Sequence, residues 1–363
     1  MTNRPASEVE RRAKRSGLAI DFLSCNERKG SGKLVGAFCD SLKCEPHEML
    51  TVGEDKFGFI EAINGRSFCF HAEWSSSLSE YGIHLAAPSE LLEYLDIFFM
   101  KSALWYATLD ARDSLKRTVT FRALIDGDGA GSAKTKQALI ETLKEKRDQK
   151  LAGASLSRFM MMHMIVSAYL DGLLSIDRYQ ALWQIYPGHS PDSTPPPVIL
   201  ATIQGFKLFR SKTANRAYYG LQRLAEAPKS SAARFKNERH LVRFTNQMNT
   251  IAIAPATAVA SKRVLVVDDF STEGYSLEAA RNMYLSAGAK SVVLLAFGKY
   301  GSRYDLQVPI KSGLVKPKRL TNYATTDFES ETRSVTLKPP ALDDFLSSLQ
   351  RLKGSPIAEK LLT

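Results

Sequence analysis

Residues 264–276 read Val-Leu-Val-Val-Asp-Asp-Phe-Ser-Thr-Glu-Gly-Tyr-Ser. The apolar run at 264–267 is typical of a strand that is buried on both faces of a parallel sheet. Asp268 and Asp269 follow at its carboxyl end, which is where open α/β sheets bind ligands. The loop after them leads into a helical pattern at 277–287, so its backbone N–H groups should lie at a helix N-terminus, a favourable place for an anion. The stretch therefore predicts a sugar-phosphate site, with carboxylates for ribose hydroxyls or a metal beside a phosphate-binding loop.

These thirteen residues resemble the ribose-phosphate-binding signature of the type I phosphoribosyltransferases. That signature is a hydrophobic strand, two acidic residues and a Thr/Gly-rich loop that ends in Thr or Ser. The resemblance continues through residues 277–290 into a second apolar strand pattern at 291–297. About forty contiguous residues thus fit one strand–loop–helix–strand unit. The resemblance implies an α/β fold for the C-terminal part of the chain, with a parallel sheet flanked by helices.

The resemblance also implies roles for the residues of the signature. Asp268 and Asp269 would be the catalytic pair, binding the ribose 2′- and 3′-hydroxyls of phosphoribosyl pyrophosphate (PRPP). They would also hold the cofactor Mg²⁺ indirectly, through the diol or its water shell. The activity implied is the transfer of a pentosyl phosphate group, a reaction of nucleotide metabolism. The residues that would wrap the 5′-phosphate are Ser271, Thr272, Glu273, Gly274, Tyr275 and Ser276.

Two positions depart from the family pattern. Glu273 stands where the family usually has Thr, and Tyr275 stands where it has a small residue. A carboxylate in a phosphate loop repels the ligand unless it points away or binds a metal or a nearby base. The departures leave the predicted fold unchanged and argue for reduced activity.

A second anion-binding loop is expected after the first strand of the same domain. Residues 198–203 have the pattern of that strand, and a helix is predicted at 213–225. Between them, Arg210, Ser211 and Lys212 supply the cations and the hydroxyl that a pyrophosphate needs. Short strands are predicted at 241–244 and 251–253, and Arg243 in the first of them is a candidate second phosphate contact. The loop between these strands is short, so any hood over the site would close poorly.

The chain is basic, with a formal net charge of +11 and a pI near 9.4. Residues 207–243 contain ten basic residues against two acidic ones. Such a segment suits an anionic partner, either the pyrophosphate of a small ligand or a nucleic-acid backbone. A solvated helix face is the third interpretation. A nucleic acid or a protein is therefore a candidate partner of this segment, besides PRPP or another ribose phosphate or nucleotide.

A length of 363 residues predicts two domains. The clearest boundary is the proline-rich stretch that ends at residue 197. Upstream of it, strands are predicted at 34–38, 57–63 and 67–72, and an amphipathic helix at 89–111. The predicted division is a mixed α+β region (1–130), a helical segment (131–187), a Pro-rich linker (188–197), the phosphoribosyltransferase-like domain (198–345) and a helical tail (346–363).

The composition indicates a protein of the cytoplasm without a membrane partner. Apolar residues make up 44% of the chain, but no apolar stretch is long enough to span a bilayer and no signal core follows Met1. The four cysteines all lie in the first fifth of the chain and are expected to be reduced core thiols. A zinc site that includes Cys39, Cys44 and His47 is the alternative, although the paired spacing of zinc ligands is absent.

A second acidic motif lies far upstream, at residues 124–129, Leu-Ile-Asp-Gly-Asp-Gly. It resembles the Asp-x-Asp-Gly start of the haloacid-dehalogenase phosphatases, but the Thr that should follow is absent. The glycines and lysine of residues 127–135 suggest a P-loop with the wrong spacing. A Gly-rich turn before a helix that begins near Ala133 explains both patterns.

Two functions from different classes follow from these observations. The first is a Mg²⁺-dependent phosphoribosyltransferase that moves ribose 5-phosphate from PRPP to, or from, a nitrogenous acceptor. The second is a catalytically weak or inactive sensor with the same fold, which binds PRPP or a nucleotide and acts through nucleic acid or a protein partner. The intact pair Asp268 and Asp269 favours the enzyme, whereas Glu273, Tyr275 and the short hood favour the sensor.

Overall fold

The computed structural model describes residues 11, 14, 15, 30–75, 82–128, 133–144, 150–151, 154–174, 181–208, 220–227, 244–254, 258–353 and 355–360. The chain divides into two compact units. The first comprises Met1–Leu91, Tyr169–Arg178 and Leu208–Arg210, and the second comprises Leu92–Ala168, Tyr179–Lys207 and Ser211–Thr363. Among the described residues, every helix is too short or too polar to cross a membrane.

The first unit contains a three-stranded parallel sheet of β1 (Leu50–Gly53), β2 (Phe68–Ala72) and β3 (Ile83–Leu85), in that order. Helix α1 (Lys33–Leu42) and helix α2 (Lys56–Gly65) accompany it. The strand predicted at 67–72 is confirmed by β2.

The strands predicted at 34–38 and 57–63 are wrong, because α1 and α2 occupy these residues. In α2, the Asp55 side chain accepts a hydrogen bond from the Gly58 backbone N–H, which caps the helix start. Arg66 ends the helix in a left-handed conformation. These two local signals outweigh the strand-like composition of the apolar run.

Glu61 fixes the start of α1 from its position in α2. Its fully buried carboxylate accepts backbone N–H groups of Gly30 (2.6 Å), Gly32 (2.9 Å), Leu34 (2.9 Å) and Val35 (3.3 Å). Four N–H donors and the helix dipole compensate the buried negative charge.

The described cysteines of this unit, Cys39, Cys44 and Cys69, are free thiols, as predicted. Cys39 and Cys69 are buried, and Cys44 is partly exposed. Burial raises the pKa of Cys39 to about 11 and that of Cys69 to about 12. Both thiols are therefore protonated and unreactive at neutral pH.

The second unit is built on a six-stranded sheet. Its strands are β4 (Ala107–Arg112), β5 (Thr118–Asp126), β8 (Ala181–Ile185), β11 (Arg263–Ser271), β12 (Ser291–Lys299) and β15 (Thr336–Leu337). The order is β15-β4-β5-β12-β11-β8. Strands β5, β12, β11 and β8 are mutually parallel, while β4 and β15 form an antiparallel edge. The prediction of an α/β chain with a parallel sheet is confirmed at this level.

Further strands and helices lie outside this sheet. The short strands are β6 (Lys150–Leu151), β7 (Ala154–Ser155), β9 (Leu221–Arg223), β10 (Ile251–Ile253), β13 (Arg303–Pro309) and β14 (Phe328–Ser334). The helices are α3 (Pro88–Tyr94, continued by a π-helix at Leu95–Phe99), α4 (Ala133–Lys144), α5 (Leu156–Leu170), α6 (Pro197–Leu208), α7 (Phe244–Met248), α8 (Tyr275–Ser286), α9 (Pro340–Leu352) and α10 (Ile357–Lys360).

The signature forms the centre of the second unit. Residues Val264 and Val266 of β11 face the same side as Leu294 of β12, and they belong to one buried core with Leu277 and Met283 of α8. On the sheet, α4 also contacts β11 and α9 contacts β5. Apolar side chains on both faces of β11 explain its continuous valine-rich sequence.

Several predicted elements are corrected by the structure. Residues 131–187 are not all helical, because β6, β7 and β8 lie within them. Residues 198–203 belong to α6 rather than to a strand, and Pro197 occupies the first helical position, where proline is favoured. Residues 221–223 form β9 instead of a helix, and Phe244 starts α7 instead of ending a strand. The helix predicted at 89–111 ends by Phe99, since β4 begins at Ala107. Strand 251–253 is confirmed.

The sheet also takes strands from both sides of the predicted linker. Residues 188–197 lie inside the second unit, between β8 and α6. Strands β5 and β8, which precede these residues, pair with β12 and β11, which follow them. The signature domain therefore begins well before residue 198.

Candidate functional site

Asp268 and Asp269 lie near the carboxyl end of β11, with one parallel neighbour on each side. Asp268 pairs in register with Ala296 of β12, and the Tyr186 backbone N–H donates to the Val267 carbonyl at 2.9 Å on the β8 side. Consecutive strand residues point to opposite faces, so Asp268 is on the α8 face and Asp269 on the other. The Asp269 N–H donates to Asp268 Oδ1 at 2.9 Å, and the Phe270 N–H donates to Asp269 Oδ1 at 2.6 Å. These contacts hold both carboxylates at the sheet edge.

The loop from Ser271 to Gly274 is held by the residues that follow β12. The Ser271 carbonyl accepts the Tyr300 N–H at 2.9 Å, and the Glu273 carbonyl accepts the Asp305 N–H at 2.9 Å. Within the described chain, no side chain caps the α8 N-terminus at Gly274. The carbonyls of Ser271 and Glu273 thus point toward the backbone that holds the loop. The helix N-terminus that follows the loop is uncapped and lies close to the two carboxylates, and such an arrangement suits an anion.

Gly274 makes this turn possible. Its φ is +86°, and a Cβ atom at this position would lie 2.5 Å from the buried Tyr304 ring. Only glycine combines a left-handed backbone with this close approach.

Lys299 clamps the same loop from within the sheet. Its fully buried Nζ donates to the carbonyls of Thr272 (2.5 Å), Tyr300 (2.7 Å), Arg303 (2.9 Å) and Gly301 (3.0 Å). Burial lowers the pKa of Lys299 to about 8, although Glu273 and Asp305 act in the opposite direction. The ammonium thus organises the loop rather than contacting a ligand.

Glu273 and Tyr275, the two departures from the family pattern, have neighbours at the end of β12 and in β13. The charge of Glu273 opposes the lowering of the Lys299 pKa by burial, and it adds to the increase of the Arg303 pKa that Asp305 mainly causes, so the Glu273 carboxylate lies near both cations. The Tyr275 hydroxyl donates to Asp305 Oδ2 at 3.2 Å. Both side chains therefore have interactions outside the phosphate loop.

Arg223 organises the other side of the site. Its guanidinium donates to the Gly188 carbonyl (2.8 Å), to Gln247 Oε1 (3.0 Å) and to the Thr250 hydroxyl. It also donates to the Tyr186 hydroxyl at 3.3 Å, and that hydroxyl in turn donates to Gln247 Oε1 at 2.7 Å. Arg223 thereby fixes the turn that follows β8.

The electrostatics of the acidic pair are unusual. Burial raises the pKa of Asp268 well above its ordinary value, and the charge of Asp269 adds to this increase. Arg223 acts in the opposite direction but does not cancel the increase. A titratable group with such a shift beside an uncapped helix N-terminus marks a candidate ligand site.

The acidic pair is suited to a metal ion that binds together with a phosphate ligand. Among the described residues, no group of three or more His, Cys, Asp or Glu side chains is arranged to hold a metal ion. Mg²⁺ commonly uses one or two carboxylates together with water and substrate phosphates. Asp268 and Asp269 satisfy this need, whereas the predicted zinc alternative finds no metal-binding group among the described residues.

Some predicted site residues cannot be placed. Arg210, Ser211, Lys212 and Arg243 lie outside the described residues. Of the basic segment 207–243, only residues 207, 208 and 220–227 are described, so its predicted role in binding remains a prediction.

Sequence reasoning missed four contributors to this edge: Asp126, Tyr186, Arg223 and Lys299. Asp126 ends β5 and pairs in register with Lys299, so the described part of the motif, residues 124–128, lies at the same sheet edge as the signature. The sequence signal for Tyr186 was a short apolar run followed by Pro-Gly, which also marks the end of a buried strand. Arg223 carried no local signal, because its partners are distant in sequence. Lys299 donates mainly to carbonyls of residues 300–303, which closely follow it, and the sequence pattern did not reveal this role.

Comparisons of this chain with protein-family models, with curated proteins and with solved structures found no match.

The raised pKa of Asp268 predicts a specific pH dependence of stability. A carboxyl whose pKa is higher in the folded than in the unfolded state stabilises the fold below its unfolded pKa, and this contribution is lost as the pH rises through the folded pKa. Asp268→Asn, which cannot ionise, should therefore match the wild type near pH 4 and exceed it at neutral pH, by about 0.5–2 kcal/mol. Urea unfolding of both proteins from pH 4 to pH 8 measures the difference. A difference that is constant with pH would contradict the assignment.

Proposed function

We propose that this protein is a phosphoribosyltransferase-like protein that binds PRPP or a related ribose phosphate with Mg²⁺. The observation that supports this proposal is the adjacency of Asp268 and Asp269 to an uncapped helix N-terminus through the loop Ser271–Gly274. Carboxylates accept the hydrogen bonds of a ribose diol, and backbone N–H groups at a helix start bind phosphate. The two needs of a ribose 5-phosphate are thereby met by one continuous segment.

The proposed reaction transfers the phosphoribosyl group to a nitrogenous acceptor. The bond between C1′ and the pyrophosphate oxygen breaks, and its electron pair leaves with the pyrophosphate. The acceptor nitrogen forms a bond to C1′ and releases a proton to solvent. Bound Mg²⁺ would neutralise charge on the departing pyrophosphate. Asp268 and Asp269 would orient the ribose and stabilise the positive charge that develops on it.

A second candidate is a sensor with the same ligand but little or no turnover. The observation that favours it is Glu273, a partly exposed acidic residue of the loop before α8, although its charge lies near Lys299 and Arg303. A negative charge in this loop repels a phosphate and so weakens its binding during turnover. Such a sensor would act through a nucleic acid or a protein bound by the basic segment 207–243. Nucleic-acid binding by this segment should weaken steeply as salt rises, while a salt-insensitive complex would argue against it.

Calorimetric titration with PRPP and Mg²⁺ tests the proposed site. The wild type is expected to bind, and Asp268→Asn and Asp269→Asn are expected to bind at least about tenfold more weakly, since each loses a charged hydrogen-bond acceptor. Asp343→Asn, an exposed position on α9, removes the same charge elsewhere and should bind like the wild type. Failure of the wild type to bind PRPP would overturn the proposal. Release of pyrophosphate with a panel of bases then separates the enzyme from the sensor.

A further inference from the structure

Three sulfur atoms lie together in the first unit, where α1 ends and β1 begins. The Cys39 thiol donates a hydrogen bond to Met49 Sδ at 3.1 Å, and the Cys44 thiol is also within hydrogen-bonding reach of Cys39. Cys39 is buried, whereas Cys44 and Met49 are partly exposed. The group therefore lies just below the surface, and two of its three members are accessible to solvent.

The turn after α1 brings Cys44 back to Cys39. Lys43, the residue that ends the helix, has a φ of 54° and a ψ of 45°, a left-handed conformation that is uncommon for a residue other than glycine. The backbone N–H groups of Lys43 and Cys44 both donate to the Cys39 carbonyl, the latter at 3.1 Å. The left-handed turn thus keeps the two cysteines adjacent.

The Tyr169 hydroxyl fixes the segment that carries Met49. It lies 2.7 Å from the Pro46 carbonyl and 2.5 Å from the Met49 carbonyl, and it donates to both. The Met49 carbonyl also accepts the Phe68 backbone N–H at 3.3 Å. The rings of Tyr169 and Phe68 pack edge to face, with centroids 5.1 Å apart. The backbone of Met49 is therefore held by two residues from other elements, which places its thioether beside Cys39.

The surroundings of the three sulfur atoms favour a cation. Burial raises the pKa of Cys39 to about 11, and the adjacent Cys44 adds to this increase. The negative charges of Asp40 and Glu45 act in the same direction. A negative potential that keeps a proton on a thiol also attracts a metal cation that can replace the proton. Among the described residues, no group of three His, Cys, Asp or Glu side chains is arranged to hold a metal, so the third donor here is the Met49 thioether.

We propose that Cys39, Cys44 and Met49 form a binding site for Cu(I). Thiolates and thioethers are the polarizable ligands that Cu(I) prefers. Zinc in structural sites takes four thiolate, imidazole or carboxylate ligands, and only two of these three sulfur atoms are of that kind. On binding, each thiol gives its proton to solvent, and the copper stays Cu(I) because no electron is transferred. The site belongs to the first unit and does not depend on the proposed sugar-phosphate site of the second.

Anaerobic titration of the full chain with Cu(I) held by the indicator bicinchoninate tests the site. All proteins compared carry Cys25→Ser, because Cys25 lies outside the described residues. The parent protein should take one Cu(I) per chain from the indicator. Cys44→Ser and Met49→Leu should each weaken Cu(I) binding by at least about tenfold, since even groups that only orient a metal ligand are worth about 10–100-fold in affinity. Met100→Leu, at an exposed methionine of the second unit, should bind like the parent.

The thermal midpoint of unfolding is a second measurement that needs no indicator. Cu(I) should raise it in the parent protein and leave it unchanged in Cys44→Ser, because a ligand that binds the folded state stabilises it. Cys44 and Met49 are partly exposed, so both variants should fold. The proposal is overturned if the parent takes no Cu(I), or if Cys44→Ser takes it equally well. Equal losses in Met49→Leu and Met100→Leu, or displacement of Cu(I) by equimolar Zn²⁺, would overturn it as well.

Discussion

Replacing Arg281 with methionine should destabilise the second unit by about 3–5 kcal/mol, because it leaves the buried Glu278 carboxylate without its cation. Arg281 lies fully buried in α8 and donates to Glu278 Oε2 at 2.7 Å and to Asp113 Oδ2 at 3.0 Å. Asp113 also accepts from Arg117 at 2.7 Å, so two cations and two anions balance one another. Although burial alone would raise the pKa of Asp113, its hydrogen bonds from Arg117 and Arg281 keep the pKa below its ordinary value.

This buried network connects the helix of the signature to the rest of the second unit. Glu278 Oε2 accepts the Gln307 backbone N–H of β13 at 3.0 Å, and Asp113 lies in the turn between β4 and β5. The network thus fixes the position of α8 and of the preceding loop, Ser271–Gly274. Loss of Arg281 should weaken ligand binding even though the side chain is far from any ligand contact.

Urea unfolding in a Trp74→Phe background measures the effect on the second unit. Trp74 is the tryptophan of the first unit, while Trp105 and Trp183 are buried in the second. Arg333→Met removes a cation from a partly exposed pair with Glu331 and should change stability by no more than about 1 kcal/mol. The double variant Arg281→Met/Glu278→Met restores charge balance and should recover part of the loss. An equal loss in the Arg281 and Arg333 variants would contradict the network.

Gly274→Ala is expected to have the second large effect. Alanine at φ +86° costs roughly 1–2 kcal/mol from the backbone alone. Its Cβ would also collide with the Tyr304 ring, which is fully buried and packs against Phe121 at a centroid distance of 4.9 Å. The ring cannot move without disturbing the core, so the loop must move instead. We expect PRPP affinity to fall by about 100-fold, since a misplaced loop loses several N–H contacts at once.

Gly313→Ala is the matched control for this prediction. Gly313 has a similar φ of +73°, but a Cβ atom there would meet open space. Gly313→Ala should lose only the stability that alanine costs in a left-handed backbone conformation, and it should bind PRPP like the wild type. Comparable affinities for Gly274→Ala and the wild type would show that the loop does not bind the phosphate.

The sequence predicted the parts of the fold that depend on local pattern. The strand at 264–267, the two carboxylates, the glycine turn and the following helix are contiguous, so a single segment carries the information. The α/β class and the parallel character of the sheet followed from the same segment. Strand 251–253 was also recognised, because its pattern is strong over a short range.

The missed elements depend on tertiary contacts. Strand β8 has five residues and is buried beside β11, and an apolar run of that length has no periodicity that separates strand from helix. Helix α6 was taken for a strand because its apolar residues surround the helix, which removes the helical period. Arg223 depends on partners that are distant in sequence, and no local pattern marks them. Lys299 depends on the carbonyls of Thr272 and of residues 300–303, which the folded loops bring to its ammonium group.

The position of β12 has a consequence for how the chain folds. Strand β12 lies between β5 and β11, yet β5 is complete at residue 126 and β12 begins only at residue 291. During synthesis, one edge of β5 and one edge of β11 therefore stay unpaired until β12, which pairs with both, has been synthesised. Pairing over such a sequence separation is slow, and open strand edges invite association with other chains. The ligand site therefore forms late in folding, when the last central strand completes the sheet.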